Sequence, residues 1–399
     1  MNDTKLVITG ISSISSLGIG YDAVSSGLTA TPAPVQVRAF EFHELDRETS
    51  CFRVADFAPA EILGKKGLRT KDLATKLLLA TMELGFKERF ESEPLERKPG
   101  IVVGTSFGSV QSIGDFLSDS IVNGVNAVNP MHFANTVINS PTGNANIRYA
   151  AKQLSTTVST GSNSGIDAII YACDHIRSGY LPAIVTGGLE EISYYVLMGM
   201  ERSGLLSPGG VIKPFAADAD GTVMGEGCTL FMVETEESAK AHGAPVIAEI
   251  AGYCNVFDPG NGVPGFNPDG EGATFSIREA LGMARIDPDR IDFIVSGANG
   301  IAGGDAMIAR VLTAEFGDKP VAAYKAKTGD CYGGSSALNC ACALADMQYN
   351  RVSGTGTAYT TINGVNLVSE TIQNKESEYI LVTEFSCEGN CSSVVLKNV

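Results

Sequence analysis

The chain has 399 residues, 44% of them hydrophobic, with 45 glycines, no tryptophan and a formal charge of −16 from 29 basic against 45 acidic side chains. Such an acidic balance, without a dense basic cluster, argues against nucleic acid and against acidic proteins docking on this chain. The opening Met1-Asn-Asp-Thr-Lys-Leu-Val has no basic stretch ahead of its apolar run, and no apolar segment approaches a membrane span, so no membrane association is expected.

Leu6-Val-Ile-Thr-Gly10 reads as a buried strand, followed by small polar residues and a helix near Tyr21 to Leu28. Residues 30 to 60 read as irregular. Helical periodicity spans Ala74 to Phe86, and Gly100-Ile-Val-Val-Gly104 is a strand. Val110, Ile113, Leu117 and Ile121 then share one helical face. Pro141-Thr-Gly-Asn opens another helix. From Val158 a β-prone run turns through Ser-Thr-Gly-Ser-Asn-Ser-Gly into a helix whose apolar positions are Ile166, Ile169, Ile170 and Cys173, ending at Ser178-Gly179. Ser162 therefore stands just ahead of a helix N-terminus, where backbone N–H groups favour developing negative charge. Two readings stay open there: a nucleophile or oxyanion corner, or a polar turn capping a core helix.

Ala183-Ile-Val-Thr-Gly-Gly188 is a further strand, and Glu190-Glu191 after it reads as solvated charge, because neighbours on a strand point to opposite faces. Asp218-Ala-Asp-Gly221 fails as a calcium loop, since no Glu closes it at the required offset. A second series of strands begins with Val246 to Gly252 and continues through Phe293 to Gly297, Val321 to Tyr324, Tyr379 to Thr383 and Ser392 to Leu396. The two halves, 1–247 and 248–399, suggest a duplicated α/β unit around a shared core. With neither a Walker loop nor a GxGxxG turn, no nucleotide site and no cofactor are expected. The nine scattered cysteines favour a reducing cytoplasm over a disulfide framework, and Cys340-x-Cys342 and Cys387-x3-Cys391 lack neighbouring histidines, so no metal site is expected.

Val7-Ile-Thr-Gly10, Ser16-Leu-Gly18 and above all Lys213-Pro-Phe-Ala-Ala-Asp-Ala-Asp-Gly-Thr-Val-Met-Gly-Glu-Gly227 resemble the β-ketoacyl synthases of fatty acid and polyketide assembly. The resemblance covers essentially the whole chain and implies the thiolase-like fold, a duplicated five-layer αβαβα arrangement. In active members the position of Ser162 is an acyl-carrying cysteine, and two histidines polarise the malonyl thioester as it loses carbon dioxide. Here Asn299, in Ser296-Gly-Ala-Asn-Gly300, and Asp330, in Lys325-Ala-Lys-Thr-Gly-Asp330, stand at the histidine positions. Lys325 matches the family lysine, Asn339 replaces its glutamate, Ala219 replaces the arginine of the Pro-Phe block, and the gating Gly-Phe-Gly-Gly reads Ser386-Cys-Glu-Gly389.

A serine hydroxyl needs a neighbouring base to act as a nucleophile, and Asp330 places negative charge where an enolate forms. Such a degenerate synthase resembles the chain length factor, the non-catalytic half of heterodimeric type II polyketide and polyene synthases, although many chain length factors carry glutamine at the position of Ser162. The resemblance implies a catalytic β-ketoacyl synthase as partner, with acyl carrier protein docking mainly on that partner. It also places the helix after Gly104 at the dimer interface, so that Val110, Ile113, Leu117 and Phe133 would limit product length; an ordinary core stripe is the competing reading. Two alternatives stand beside it: a serine-dependent acyl enzyme (acyltransferase, thioesterase or decarboxylating priming subunit) using Ser162 with Asp330 or neutral Lys325 as base, and a homodimeric acyl-binding scaffold.

Overall fold

In the computed structural model, residues 4–399 are described apart from 31, 41–42, 127, 129, 261 and 263–264. Ten strands form the main path of one mixed sheet: β1 (Leu6–Ser15), β2 (Gly100–Gly104), β3 (Ser155–Val158), β4 (Ala183–Glu190), β5 (Gly227–Thr235), β6 (Ala248–Phe257), β7 (Phe293–Ser296), β8 (Val321–Ala322), β9 (Tyr379–Phe385) and β10 (Asn390–Lys397). Their order is β8-β7-β9-β10-β6-β1-β5-β4-β2-β3. Read outward from the central β1/β6 pair, the two arms carry the same succession, and each strand of the first arm has its counterpart five labels higher in the second. Directions match as well: β5 runs antiparallel to β4 as β10 does to β9, whereas β2 is parallel to β3 and β4 as β7 is to β8 and β9. The arms join where Val7 pairs with Glu249 and Ile8 with Ala248.

Alternation along the strands produces the layers. Val102, Phe231 and Val233 face inward with Phe293, Val295, Ile380, Val382, Val394 and Leu396, while Ile101, Val103, Leu230 and Met232 face out on one side and Ile294, Leu381 and Val395 on the other. The inner layer is filled by two helices. One, Ser164–Arg177, buries Ile166, Ile169, Ile170, Cys173 and Ile176; the other, Ser335–Gln348, is buried at every position from Ser335 to Met347 and is accordingly built mostly of Ser, Ala, Cys and Leu. Outside one arm lies Leu73–Gly85, capped by Asp72, which accepts the Thr75 N–H at 2.9 Å. Outside the other lie Glu271–Ala284 and Ala302–Phe316. Helix, half-sheet, paired helices, half-sheet and helix give five layers, as the family resemblance implies.

Three sequence expectations need correction. Residues 30 to 60 are not irregular: Val35–Ala39 and Glu44–Phe52 pair as an antiparallel hairpin, whose charged, mostly exposed positions hide the period-2 signal. The strand expected from Val246 runs from Ala248 to Phe257. Glu190 and Glu191 are buried, not solvated; the strand does send them to opposite faces, but both faces are covered.

Candidate functional site

Ser162 lies one residue before the N-cap Asn163 of the inner helix Ser164–Arg177 and is 8% exposed. The corner ahead of it needs glycine at Gly161, whose φ of 70° lies in the left-handed region, and the Glu388 carboxylate packs against it. Ser164 Oγ donates to the Gly161 carbonyl at 2.6 Å and accepts the Thr160 N–H, closing the turn. Asn163 donates to the Glu384 and Asn390 carbonyls at 3.3 and 3.2 Å and to Ser392 Oγ at 2.8 Å, tying the corner to β9 and β10 of the other arm. Ser162 Oγ donates to the Phe385 carbonyl at 3.3 Å; among the described residues no side-chain base bonds to it.

The other expected residues converge. Asn299 Nδ2 donates to Asp330 Oδ2 at 2.7 Å. Asp330 Oδ1 takes the Tyr332 N–H and the Ser335 hydroxyl at 3.0 Å each, and the Lys325 ammonium lies 3.6 Å from it. Lys325 also donates to Glu384 Oε2 at 3.3 Å, and Asn339 donates to Glu384 Oε1. Lys325, Asp330, Asn339 and Glu384 are all buried. Burial pulls the Lys325 pKa down, but the carboxylates of Asp330 and Glu384 outweigh it and the net shift is upward, so the lysine is charged. Burial raises the Glu384 pKa against the opposing pull of Lys325 and Asn339.

The long glycine-rich block of the sequence holds this centre in place. Asp330 exchanges backbone bonds with Val223 and Gly225, at 2.8 and 2.9 Å. Asp305, on the helix Ala302–Phe316, receives the N–H groups of Phe215, Asn299 and Gly300 at 2.8, 3.1 and 3.0 Å, and burial, only partly offset by these bonds, pushes its pKa to about 6. Phe215 is thereby held at a φ of 61°, unusual for a non-glycine residue.

With this geometry in view, comparison with known proteins is decisive. The model of the β-ketoacyl synthase N-terminal domain matches residues 55–239, and that of the β-ketoacyl synthase C-terminal domain matches residues 247–376. The chain belongs to the β-ketoacyl synthase family. It is 24% identical over its full length to the 3-oxoacyl-[acyl-carrier-protein] synthase 2 of Coxiella burnetii, itself matched end to end. Over 52% of each chain it is 35% identical to the ketoacyl synthase beta subunit of the tetracenomycin polyketide synthase of Streptomyces glaucescens. Among solved structures, the ishigamide ketosynthase/chain length factor has a TM-score of 0.90 at 23% identity, covering 99% of both chains. The ketosynthase ApeO in complex with its chain length factor ApeC from Xenorhabdus doucetiae gives 0.85 at 21% identity, covering 99% of this chain and 98% of that one. At this identity the two likenesses show the fold.

In this centre the Asn299 amide is engaged by Asp330, whose carboxylate is an acceptor, whereas stabilising a developing enolate needs donors. Three carboxylates take roles here that the sequence did not assign to them. Glu384 answers Lys325 from a strand 59 residues downstream, a distance at which no spacing rule pairs them. Glu190 accepts Thr105 Oγ1 at 3.0 Å and the Ser106 and Phe107 N–H groups at 2.9 and 3.2 Å; burial lifts its pKa to about 7 against those bonds. Glu388 accepts the Tyr332 hydroxyl at 2.8 Å beside Gly161.

The helix Val110–Val122 lies at the edge of the molecule, with no residue fully buried. Val110 and Ile113 are half-buried, and Leu117 and Phe133 are 54% and 63% exposed. A cavity of about 730 Å³ adjoins the helix and is lined by Gln111, Ser112, Asp115 and Phe116 among others. At 100° per residue these lie across the helix from Val110, Ile113 and Leu117. None of the four residues expected to limit chain length lines this cavity: Val110 packs against the neighbouring core cluster, Phe133 lies with its ring 5.9 Å from that of Phe116, and Leu117 is exposed in the single chain.

Proposed function

We propose that this chain is a non-catalytic chain length factor, which pairs with an active β-ketoacyl synthase and shapes the tunnel for its growing acyl or polyketide chain. The observation that carries this reading is the closed network of Asn299, Asp330, Lys325 and Glu384, in which the residues at the catalytic positions satisfy one another. Support comes from the apolar surface at Leu117, Ile121, Val122, Val125, Phe133, Val137 and Ile138, each more than a third exposed. A patch of this kind on one chain suits burial against a partner. In this reading residues 1–247 and 248–399 are the two duplicated halves, the complex works in the cytoplasm, and Val110, Ile113, Leu117 and Phe133 are completed into a tunnel wall only when the partner covers them. Carrier protein docks mainly on that partner.

The serine-enzyme alternative loses its proposed bases. Lys325 is held charged, and both oxygens of Asp330 are engaged. Co-expression with a Cys-His-His β-ketoacyl synthase of the same organism, followed by size exclusion and intact mass under malonyl-carrier feeding, tests the reading. A 1:1 complex with acyl load on the partner alone supports it. Purification as a stable homodimer with acylated Ser162 overturns it.

A further inference from the structure

The turn between β9 and β10 lies against the Ser162 corner and is fastened there from outside its own hairpin. At its base the Ser386 N–H donates to the Asn390 carbonyl at 2.9 Å, and the Ser386 hydroxyl accepts the Asn390 N–H at 3.1 Å. The tip is therefore Cys387-Glu388-Gly389. Glu388 is exposed, yet its carboxylate lies across Gly161, the residue before Ser162, where Oε1 accepts the Tyr332 hydroxyl at 2.8 Å. A solvated glutamate gives up rotamer freedom to hold one such position, so the bond to Tyr332 is what keeps it there.

Tyr332 is a fixed anchor. Its φ of 42° is unusual for a non-glycine residue, its N–H is held by Asp330 Oδ1 at 3.0 Å, and its ring packs on that of Phe107 with centroids 4.9 Å apart. Phe107 is fixed in turn, because its N–H and that of Ser106 are bound by the Glu190 carboxylate, and the Ser106 hydroxyl donates to the Gly161 carbonyl. Segments around residues 106, 332 and 388 thus meet on the turn that carries Ser162, whose side chain is directed at the Phe385 carbonyl. We propose that Tyr332 and Glu388 form a latch that holds the tip of the β9–β10 turn shut on the Ser162 corner, an autoinhibitory contact that keeps a thioester arm out whichever residue stands at that position. The block is steric. It is separate from the want of a base beside Ser162 and from the Asn299–Asp330 bond, and it holds whether or not the chain length factor reading does.

The test restores a reactive group at the corner and measures access to it. In the full-length chain, in the assembly in which it purifies, the thiol introduced by Ser162→Cys is alkylated with iodoacetamide, and peptide mass spectrometry separates it from native Cys387. Adding Tyr332→Phe, which removes only the hydroxyl, is expected to speed alkylation at least fivefold, the equivalent of about 1 kcal/mol for one hydrogen bond. Adding Glu388→Ala, which also removes the side chain from Gly161, should speed it tenfold or more. Glu388→Gln keeps an acceptor for the Tyr332 hydroxyl but loses the charge, and should stay within twofold of Ser162→Cys alone. An unchanged rate with both Tyr332→Phe and Glu388→Ala overturns the latch. So does a rate that rises with Glu388→Gln and not with Tyr332→Phe, since the effect would then belong to the lost negative charge acting on the thiol. A thiol that reacts in Ser162→Cys alone as fast as in the unfolded chain would show an open corner and overturn it as well.

Discussion

Asn299 donates its side-chain amide to Asp330 at 2.7 Å, so the two positions at which the family resemblance leads one to expect histidines are bonded to each other. The first consequence concerns Ser162. Its hydroxyl donates to a carbonyl and no side-chain base bonds to it among the described residues, so in the proposed reading it has no route to an alkoxide. Ser162→Ala is expected to leave the product-formation rate of the complex within about twofold, far below the 10²–10⁴-fold contribution of a catalytic proton transfer. Steady-state carrier-dependent malonyl consumption measures this, and a loss of a hundredfold would return Ser162 to the chemistry.

The Lys325 ammonium is the only cation reaching both Asp330 and Glu384 among the described contacts. Lys325→Met would leave two buried carboxylates without a countercharge, a defect of about 3–5 kcal/mol. Urea denaturation should show the midpoint falling accordingly, and adding Glu384→Gln should recover part of the loss, because one of the stranded charges is then gone. An unchanged midpoint in the single variant would mean that the carboxylates are protonated in the folded protein.

How much of this was legible beforehand depends on the range of the interaction. Apolar runs such as Gly100 to Gly104 and the helix from Ile166 to Cys173 announce themselves, since burial on a fixed period is written locally. The helix Ser335–Gln348 carries little contrast, being buried on all sides, and was not anticipated. The Ser162 corner and the Asn299, Asp330 and Lys325 turns were readable because each lies in a short glycine-bordered segment. Glu384 and Glu190 were not, because their roles depend on strands brought together by the sheet, and a glutamate at a strand end has the same local appearance whether it meets water or a buried lysine.

Glu190 gives the stability a pH dependence of definite sign. Its folded pKa, about 7, lies above its ordinary value of 4.5, so the folded state holds this proton more tightly than the unfolded state does. The contribution is fully present below pH 4.5 and is lost as pH climbs to about 7; the span corresponds to about 3 kcal/mol at most. Glu190→Gln removes the titration, although the amide loses an acceptor toward Ser106 or Phe107 and lowers overall stability. The difference in unfolding free energy between wild type and variant should therefore change across this window and flatten above it. A difference independent of pH would show that the Glu190 carboxyl does not titrate there.

Charge argues where the carrier protein lands. With a net charge of −16, this chain repels an acidic carrier, and its basic side chains are dispersed. Lys65 and Lys66 are adjacent and exposed. Reversing both to Glu is expected to change carrier affinity for the complex less than threefold, as measured by fluorescence anisotropy at low salt, where surface electrostatics are strongest. A tenfold loss would move the docking patch onto this chain.

Leu117 decides whether the exposed face of its helix bounds a tunnel or only an interface. It is 54% exposed in the single chain and lies across the helix from the polar cavity, so both roles require a partner to cover it. If the covered face borders the growing chain, Leu117→Ala opens space at the wall, and the reconstituted complex should release products at least one extension unit longer while association is nearly preserved. Leu117→Asp buries a charge at the same place and should weaken the complex by tenfold or more, since a carboxylate cannot be desolvated there without a counterion. Mass spectrometry of products and size exclusion of the complex read the two effects separately. Products of unchanged length from an intact Leu117→Ala complex would limit this residue to holding the subunits together, leaving length to other parts of the tunnel.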